Sequence, residues 1–339
     1  MARPRFLPDN FTLLLVTTVL VASLFPAKGQ VAVSFNLITT LAIGLLFFLH
    51  GAKLSREAVV QGALHWRLHL TVLLATFALF PLLGLVFKPL LLPLVTPDLY
   101  LGILFLCTLP STVQSSIAFT SVARGNVPAA VCSASASNLL GIFLTPVLVG
   151  LLVVTHSQGK GSFDSILNIV MLLLLPFVAG QIARRWICKW LDKHKIILKM
   201  VDQGSILLVV YTAFSEAVVQ GLWHELPPLS LVGLMLVVVM LLFVMLTIAT
   251  LASRRLGFNK EDEITIVFCG SKKSLASGVP MAKVLFAGHT VGMIVLPLML
   301  FHQVQLMVCA VLAKRYAARP VEIVAGGPAP VWSDVSPED

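Results

Sequence analysis

What this chain can become is limited first by the length of its apolar runs. A bilayer core about 30 Å thick needs about 20 mostly apolar helical residues to cross it. Runs of that kind recur ten times, at 10–26, 34–52, 67–87, 99–123, 127–154, 165–183, 203–222, 229–252, 263–286 and 289–313. They lack the alternation of a transmembrane β-barrel, so helices are the only way to satisfy their backbone polar groups in lipid. The expectation is an all-α polytopic membrane protein with ten transmembrane helices. Composition agrees: 58% of the 339 residues are hydrophobic, above the roughly 45–50% of soluble domains.

The net charge of +9 does not point to nucleic acid, because no basic and aromatic platform accompanies it. The basic residues instead fall between the apolar runs, and counting them on alternate sides sets the orientation. Of 24 Lys and Arg residues, 18 fall on the side of both termini, among them Arg3, Lys53, Arg124, Arg184, Lys199, Arg254 and Arg319. Lys28, Lys88 and Lys160 fall on the other, with Lys283 near a helix end. Both termini are therefore expected in the cytoplasm, with the protein in a bacterial inner membrane. The first run, behind Arg3 and Arg5, is read as a retained helix rather than a signal peptide, because "AKG" imitates a cleavage site poorly. Cys107, Cys132, Cys188, Cys269 and Cys309 have no metal-binding spacing and read as small hydrophobes. No cofactor is expected.

Two runs are interrupted near their middles. The fourth reaches Pro110 and "STVQSS"; the ninth reaches Gly270 and "SKKS", with Gly278 and Pro280 following. "QSSIA" (114–118) and "KKSLA" (272–276) match in pattern 158 residues apart, which divides the chain into two sets of five spans. An odd number forces the second set to enter the membrane upside down. Such inverted repeats with paired broken helices mark the midplane binding sites of many secondary transporters.

The polar residues at these breaks are the candidate site. Lys272 and Lys273 lie about 12–14 Å along the helix from Ile264 at about 1.5 Å per residue, close to the bilayer centre. A lysine there costs about 2.5–3.5 kcal/mol. Gln114, Ser115, Ser116, Ser271 and Ser274 could bind a ligand or cap freed backbone groups. Glu216 is the only acidic residue well inside a span and is expected to line an outward-opening cavity. Asn138 completes the candidate set, although it, His302, Gln303 and Gln305 also suit interhelical hydrogen bonds. An enzyme is not expected: neither lysine has SxxK spacing, GxSxG and HExxH are absent, and no Walker motif would supply ATP.

"SSIAFTSVARGNVPAAVCSASASNLLGIFLTPVL" (115–148), "LLFFLHGAKLS" and "KKSLASGVPM" together resemble the bile acid:sodium symporter family, in its sodium-motif-poor branch. The resemblance covers about residues 8–315. It implies a panel domain of spans 1, 2, 6 and 7 and a core domain of spans 3–5 and 8–10, with spans 4 and 9 unwound and crossing. It also implies two sodium sites in coupled members, but Phe268 falls at their glutamate position and Lys272 at their glutamine. Lys273 falls one residue beyond, Ala130 and Ala134 at the span-five hydroxyls, and Ile117 at an asparagine, with Ser116 alone retained.

A ten-helix transporter domain is thus expected over 1–315. A disordered cytoplasmic tail is expected over 316–339, where "PVEIVAGGPAPVWSDVSPED" after Arg319 has no usable periodicity. The function expected is secondary transport of a small organic anion. Lys273 would replace a sodium ion at the crossing, with proton coupling or uniport, because burial favours a lysine's neutral form. Sodium-dependent organic anion symport of the bile-acid type is one alternative. A membrane regulator or scaffold that does not transport is another.

Overall fold

A computed structural model describes residues 10–53, 65–153, 163–225, 227–286 and 291–319, and among them no strand occurs. Arg3, Arg5, Lys160 and the tail 320–339 lie outside the described residues. The helices are α1 (Asn10–Leu24), α2 (Gly29–Lys53), α3 (Trp66–Val86), the short α4 (Lys88–Leu91), α5 (Pro97–Thr108), α6 (Gln114–Val122) and α7 (Val127–Val153). After them come α8 (Phe163–Lys193), α9 (Lys195–Val219), the short α10 (Leu222–Glu225), α11 (Pro228–Arg255), α12 (Lys260–Gly270), α13 (Leu275–Leu285) and α14 (Val291–Ala317). Six of these, α2, α3, α7, α9, α11 and α14, are long and apolar enough to cross a membrane, and α1 and α5 are shorter apolar helices. The protein is an integral membrane protein. Its outer faces carry large apolar side chains, such as Leu24, Leu37, Leu175 and Leu229, as a lipid-facing surface must.

Two helices outrun their apolar stretches. The run 165–183 lies in a helix reaching Lys193, and the run starting at 203 lies in one that starts at Lys195. Helical hydrogen bonds close within the segment, so a helix continues into water once started.

The fourth and ninth runs are each two helices. Pro110 disfavours the helical region for Leu109, which is extended at φ −72, ψ 152, and helix resumes only at Gln114. In the ninth run α12 stops at Gly270, and Ser274, extended at φ −81, ψ 110, starts α13 as its N-cap. The Ser274 hydroxyl accepts from the Ser277 amide at 3.2 Å, satisfying one of the first-turn donors. The two breaks meet: the Ser274 amide donates to the Pro110 carbonyl at 2.9 Å, and the Ser116 hydroxyl to the Phe268 carbonyl at 3.2 Å.

A third irregularity faces them. Within α3, residues Ala75–Leu79 form a π-turn in which the Phe80 amide bonds the Ala75 carbonyl. The next bond in that pattern would come from residue 81, which is Pro81 and has no N–H. The Thr76 carbonyl therefore has no donor from its own helix.

Elsewhere α2 and α8 cross in close contact. A Cβ at Gly51 would meet the Phe177 carbonyl, and one at Gly180 the Phe48 carbonyl. Small residues let membrane helices approach this way. Gly51→Ala and Gly180→Ala should each lower stability by about 1–3 kcal/mol through overpacking. Gly44→Ala, on the same helix but with nothing within 4 Å, should be neutral or stabilising. Thermal melts in detergent test the contrast.

Candidate functional site

Lys272 and Lys273 are adjacent and both wholly buried, yet their surroundings differ completely. The Lys273 ammonium donates to three backbone carbonyls: Thr76 at 2.8 Å, Cys107 at 2.8 Å and Leu109 at 2.7 Å. An ammonium has three N–H donors, so each is used. The Thr76 carbonyl is the one freed by the π-turn. The other two belong to the end of α5, where the last carbonyls of a helix have no partner and carry the negative end of its dipole. The Ser111 amide, four residues after Cys107, is diverted to the Ser137 hydroxyl at 3.0 Å. The Phe80 ring closes the cage, 4.1 Å from the ammonium. Gln305 holds the lysine's own peptide groups from both sides, accepting from its amide at 2.9 Å and donating to its carbonyl at 3.0 Å.

Lys272 points elsewhere. Its ammonium has no hydrogen-bond partner among the described residues and lies 4.4 Å from the centre of the Phe119 ring and 5.5 Å from that of Phe268. The ring quadrupoles face its charge there.

Neither lysine lines the cavity of about 460 Å³ that lies between α1, α2, α8 and α9 on one side and α6, α7, α13 and α14 on the other. Of the residues singled out in the sequence, Gln114, Ser115, Asn138 and Ser274 line it. The first turns of α6 and α13 start at this wall, so their unpaired amides and positive dipole ends lie beside it. Asn138 and Ser277 bond to each other at 2.7 Å, and Ser115 bonds Thr112 at 2.8 Å. Ser116 and Ser271 are buried away from the cavity. Ser116 bonds Thr112 at 2.9 Å as well as the Phe268 carbonyl, and Ser271 back-bonds its own helix at the Val267 carbonyl, 2.6 Å away.

Glu216 is not at the cavity. It lies about 15 Å along α9 from Ile206, the deepest residue of α9 in the cavity wall, at about 1.5 Å per residue. There it pairs with Lys283 of α13 at 2.5 Å.

Sequence reasoning missed the opposite wall, where His50, Lys53, Lys199, Asp202 and Gln203 face the cavity. In the sequence, Lys53 and Lys199 read as orientation charges. The signal was present as spacing, since Lys199, Asp202, Gln203 and Ile206 stand at i, i+3, i+4 and i+7, one face of a helix. His302 also reaches the cavity while bonding Gln305 at 2.9 Å, and Gln303 bonds Thr12 at 2.7 Å.

The model of the SBF-like CPA transporter family matches residues 9–318. The chain belongs to that family. An uncharacterised protein of Pseudomonas aeruginosa is 66% identical over 319 residues, covering 94% of this chain and 96% of its own. YfeH of Escherichia coli, which carries a symporter's name, is 57% identical over 94% of this chain and 95% of its own. The mouse sodium/bile acid cotransporter 7 is 32% identical over 85% of this chain and 84% of its own. This family member is therefore a membrane transporter of the bile acid:sodium symporter type.

The two lysines should answer the same substitution oppositely. Lys273→Met strands three buried carbonyls and should destabilise the fold by about 2–4 kcal/mol. Lys272→Met replaces an ammonium without hydrogen bonds by an apolar chain of similar shape and should be neutral or stabilising. Melting temperatures of both variants, compared with wild type, check the ranking.

Proposed function

We propose that the protein is a secondary transporter of a small organic anion that works without sodium, with Lys273 as a covalently tethered cation at the helix crossing. The cavity carries this reading, because it lies between two groups of helices and reaches both breaks. Ten spans in two inverted five-helix repeats account for the paired breaks. α1, α2, α8 and α9 form the panel, and α3, α5–α7 and α11–α14 the core. Both termini are cytoplasmic, in a bacterial inner membrane, and the cavity opens to the cytoplasm at Lys53 and Lys199.

An anion fits the core wall, where two helix N-termini and the side chains of Gln114, Ser115, Asn138 and Ser274 offer donors. Sodium finds little there. Ala130, Ala134 and Phe268 are buried apolar side chains at positions where coupled relatives place ligands, and Lys272 occupies another. Lys273 meets the carbonyl cage that an inorganic cation would otherwise have to fill.

The carbonyls that hold Lys273 all belong to core helices, α3 and α5. The lysine thus stiffens the core without tying it to the panel, and the two remain free to rock past each other. That favours transport over a locked scaffold. Because every donor of its ammonium is engaged, Lys273 serves as a fixed charge rather than a site of proton exchange.

In proteoliposomes, uptake of organic anions should persist when sodium is replaced by choline at equal ionic strength. A saturable sodium requirement would restore the bile-acid type of symport that the mammalian relative's name describes. No flux of any anion would leave the scaffold.

The Glu216–Lys283 pair bridges panel and core at the end of α9 away from the cavity, so it must part whenever that end opens. Either reversal alone, Glu216→Lys or Lys283→Glu, should lower flux by preventing that end from closing. The double reversal should recover most of it. Unchanged flux in both single variants would remove the pair from the transport cycle.

A further inference from the structure

Among the described lining residues, the charged side chains all lie on the panel wall of the cavity. The charged side chains lining the cavity are Lys53, Lys199 and Asp202, and they are not equivalent. Lys53 of α2 is engaged with Asp202 of α9 at 2.5 Å. Lys199 has no hydrogen-bond or ion-pair partner among the described residues, and its side chain is exposed. It is the uncompensated cation of the described wall.

Its position is not explained by orientation alone. The other basic residues of this region, such as Lys189, Lys193 and Lys195, do not line the cavity. Lys199 shares the inward stripe of α9 with Asp202, Gln203 and Ile206 and stands at its outer end. From Lys199 to Ile206 the helix rises about 10 Å at about 1.5 Å per residue. Between the cationic end and the helix N-termini of the core wall the lining is apolar, from Phe47, Ile142, Phe177, Ile206 and Leu306. The volume lies within the roughly 300–1,000 Å³ of small-molecule sites.

We propose that Lys199 is a specificity-determining anchor for a second anionic group, so that the cavity prefers an elongated dianion with an apolar middle over a monoanion of equal length. One anionic end meets the first-turn amides of α6 and α13, and the other meets the Lys199 ammonium. Asp202, already paired with Lys53, repels an anion from that neighbouring position and leaves Lys199 as the place for it. This rests on the organic-anion reading above and narrows it to a charge pattern.

The test compares suberate with octanoate, a diacid and a monoacid of the same carbon count, as thermal stabilisers of the full chain in lipid nanodiscs, since a ligand bound to the folded state raises its stability. Suberate should raise the melting temperature of wild type more than octanoate does. Lys199→Gln should weaken suberate by about fivefold, the scale of an exposed ion pair, and bring it level with octanoate. Lys199→Arg should recover the difference, and Lys195→Gln, off the cavity stripe, should leave it unchanged. Equal shifts from the two acids in wild type, no shift from suberate, or a suberate preference that survives Lys199→Gln would each overturn the proposal. A separate flux assay keeps the two ideas apart: a chain that shows this preference yet moves no anion retains the anchor and loses the transport reading.

Discussion

Three carbonyl oxygens from two helices converge on one ammonium, and the centre of the molecule is arranged around that contact. The π-turn of α3 releases the Thr76 carbonyl, and the broken end of α5 releases those of Cys107 and Leu109. Buried acceptors without partners would each cost about 1–3 kcal/mol. Lys273 meets all three from the opposite break. Each irregularity would be a defect alone, and together they satisfy one another. Gln305 then fixes the backbone that carries the lysine, so α14 also depends on the contact.

The same contact separates the roles of two residues that look identical in sequence. Lys273 is saturated with hydrogen bonds, while Lys272, one position earlier, meets aromatic rings. Helical neighbours diverge by about 100°, and the unwound segment after Gly270 lets them diverge further. One lysine therefore serves the carbonyl ends of the first half of the chain. The other is enclosed against Phe119 of α6 and Phe268 of α12.

Much of the architecture was legible from the chain. Pro110 and Gly270 marked where α5 and α12 stop, because proline restricts the residue before it and glycine tolerates unwinding. Apolar run length located the helices, though not the polar extensions to Lys193 and from Lys195. Gln114, Ser115, Ser274 and Asn138 were singled out and do meet at one cavity. Other parts could not be read locally. That Lys273 rather than Lys272 reaches α3 and α5 depends on contacts across more than 160 residues, and Pro81 signals a freed carbonyl only once the π-turn is seen. The partnership of Glu216 with Lys283 joins helices whose packing no single run reveals. The wall formed by α2 and α9 was hidden differently: its lysines had an adequate explanation as orientation charges, which masked the helical spacing of Lys199 with Asp202.

The π-turn in α3 has a further meaning when counted in chain length. A wider turn accommodates one more residue than an α-helix of the same rise. Deleting one residue within 77–79 would leave a regular turn of the same rise with the flanking segments little rotated, but it would set the Pro81 ring four residues after Thr76, where a proline ring clashes with the carbonyl. The Thr76 carbonyl would then be pressed by that ring instead of being turned freely to the Lys273 ammonium. The buried cation is thus tied to a single-residue insertion, and α3 admits substitution far more readily than a change of length.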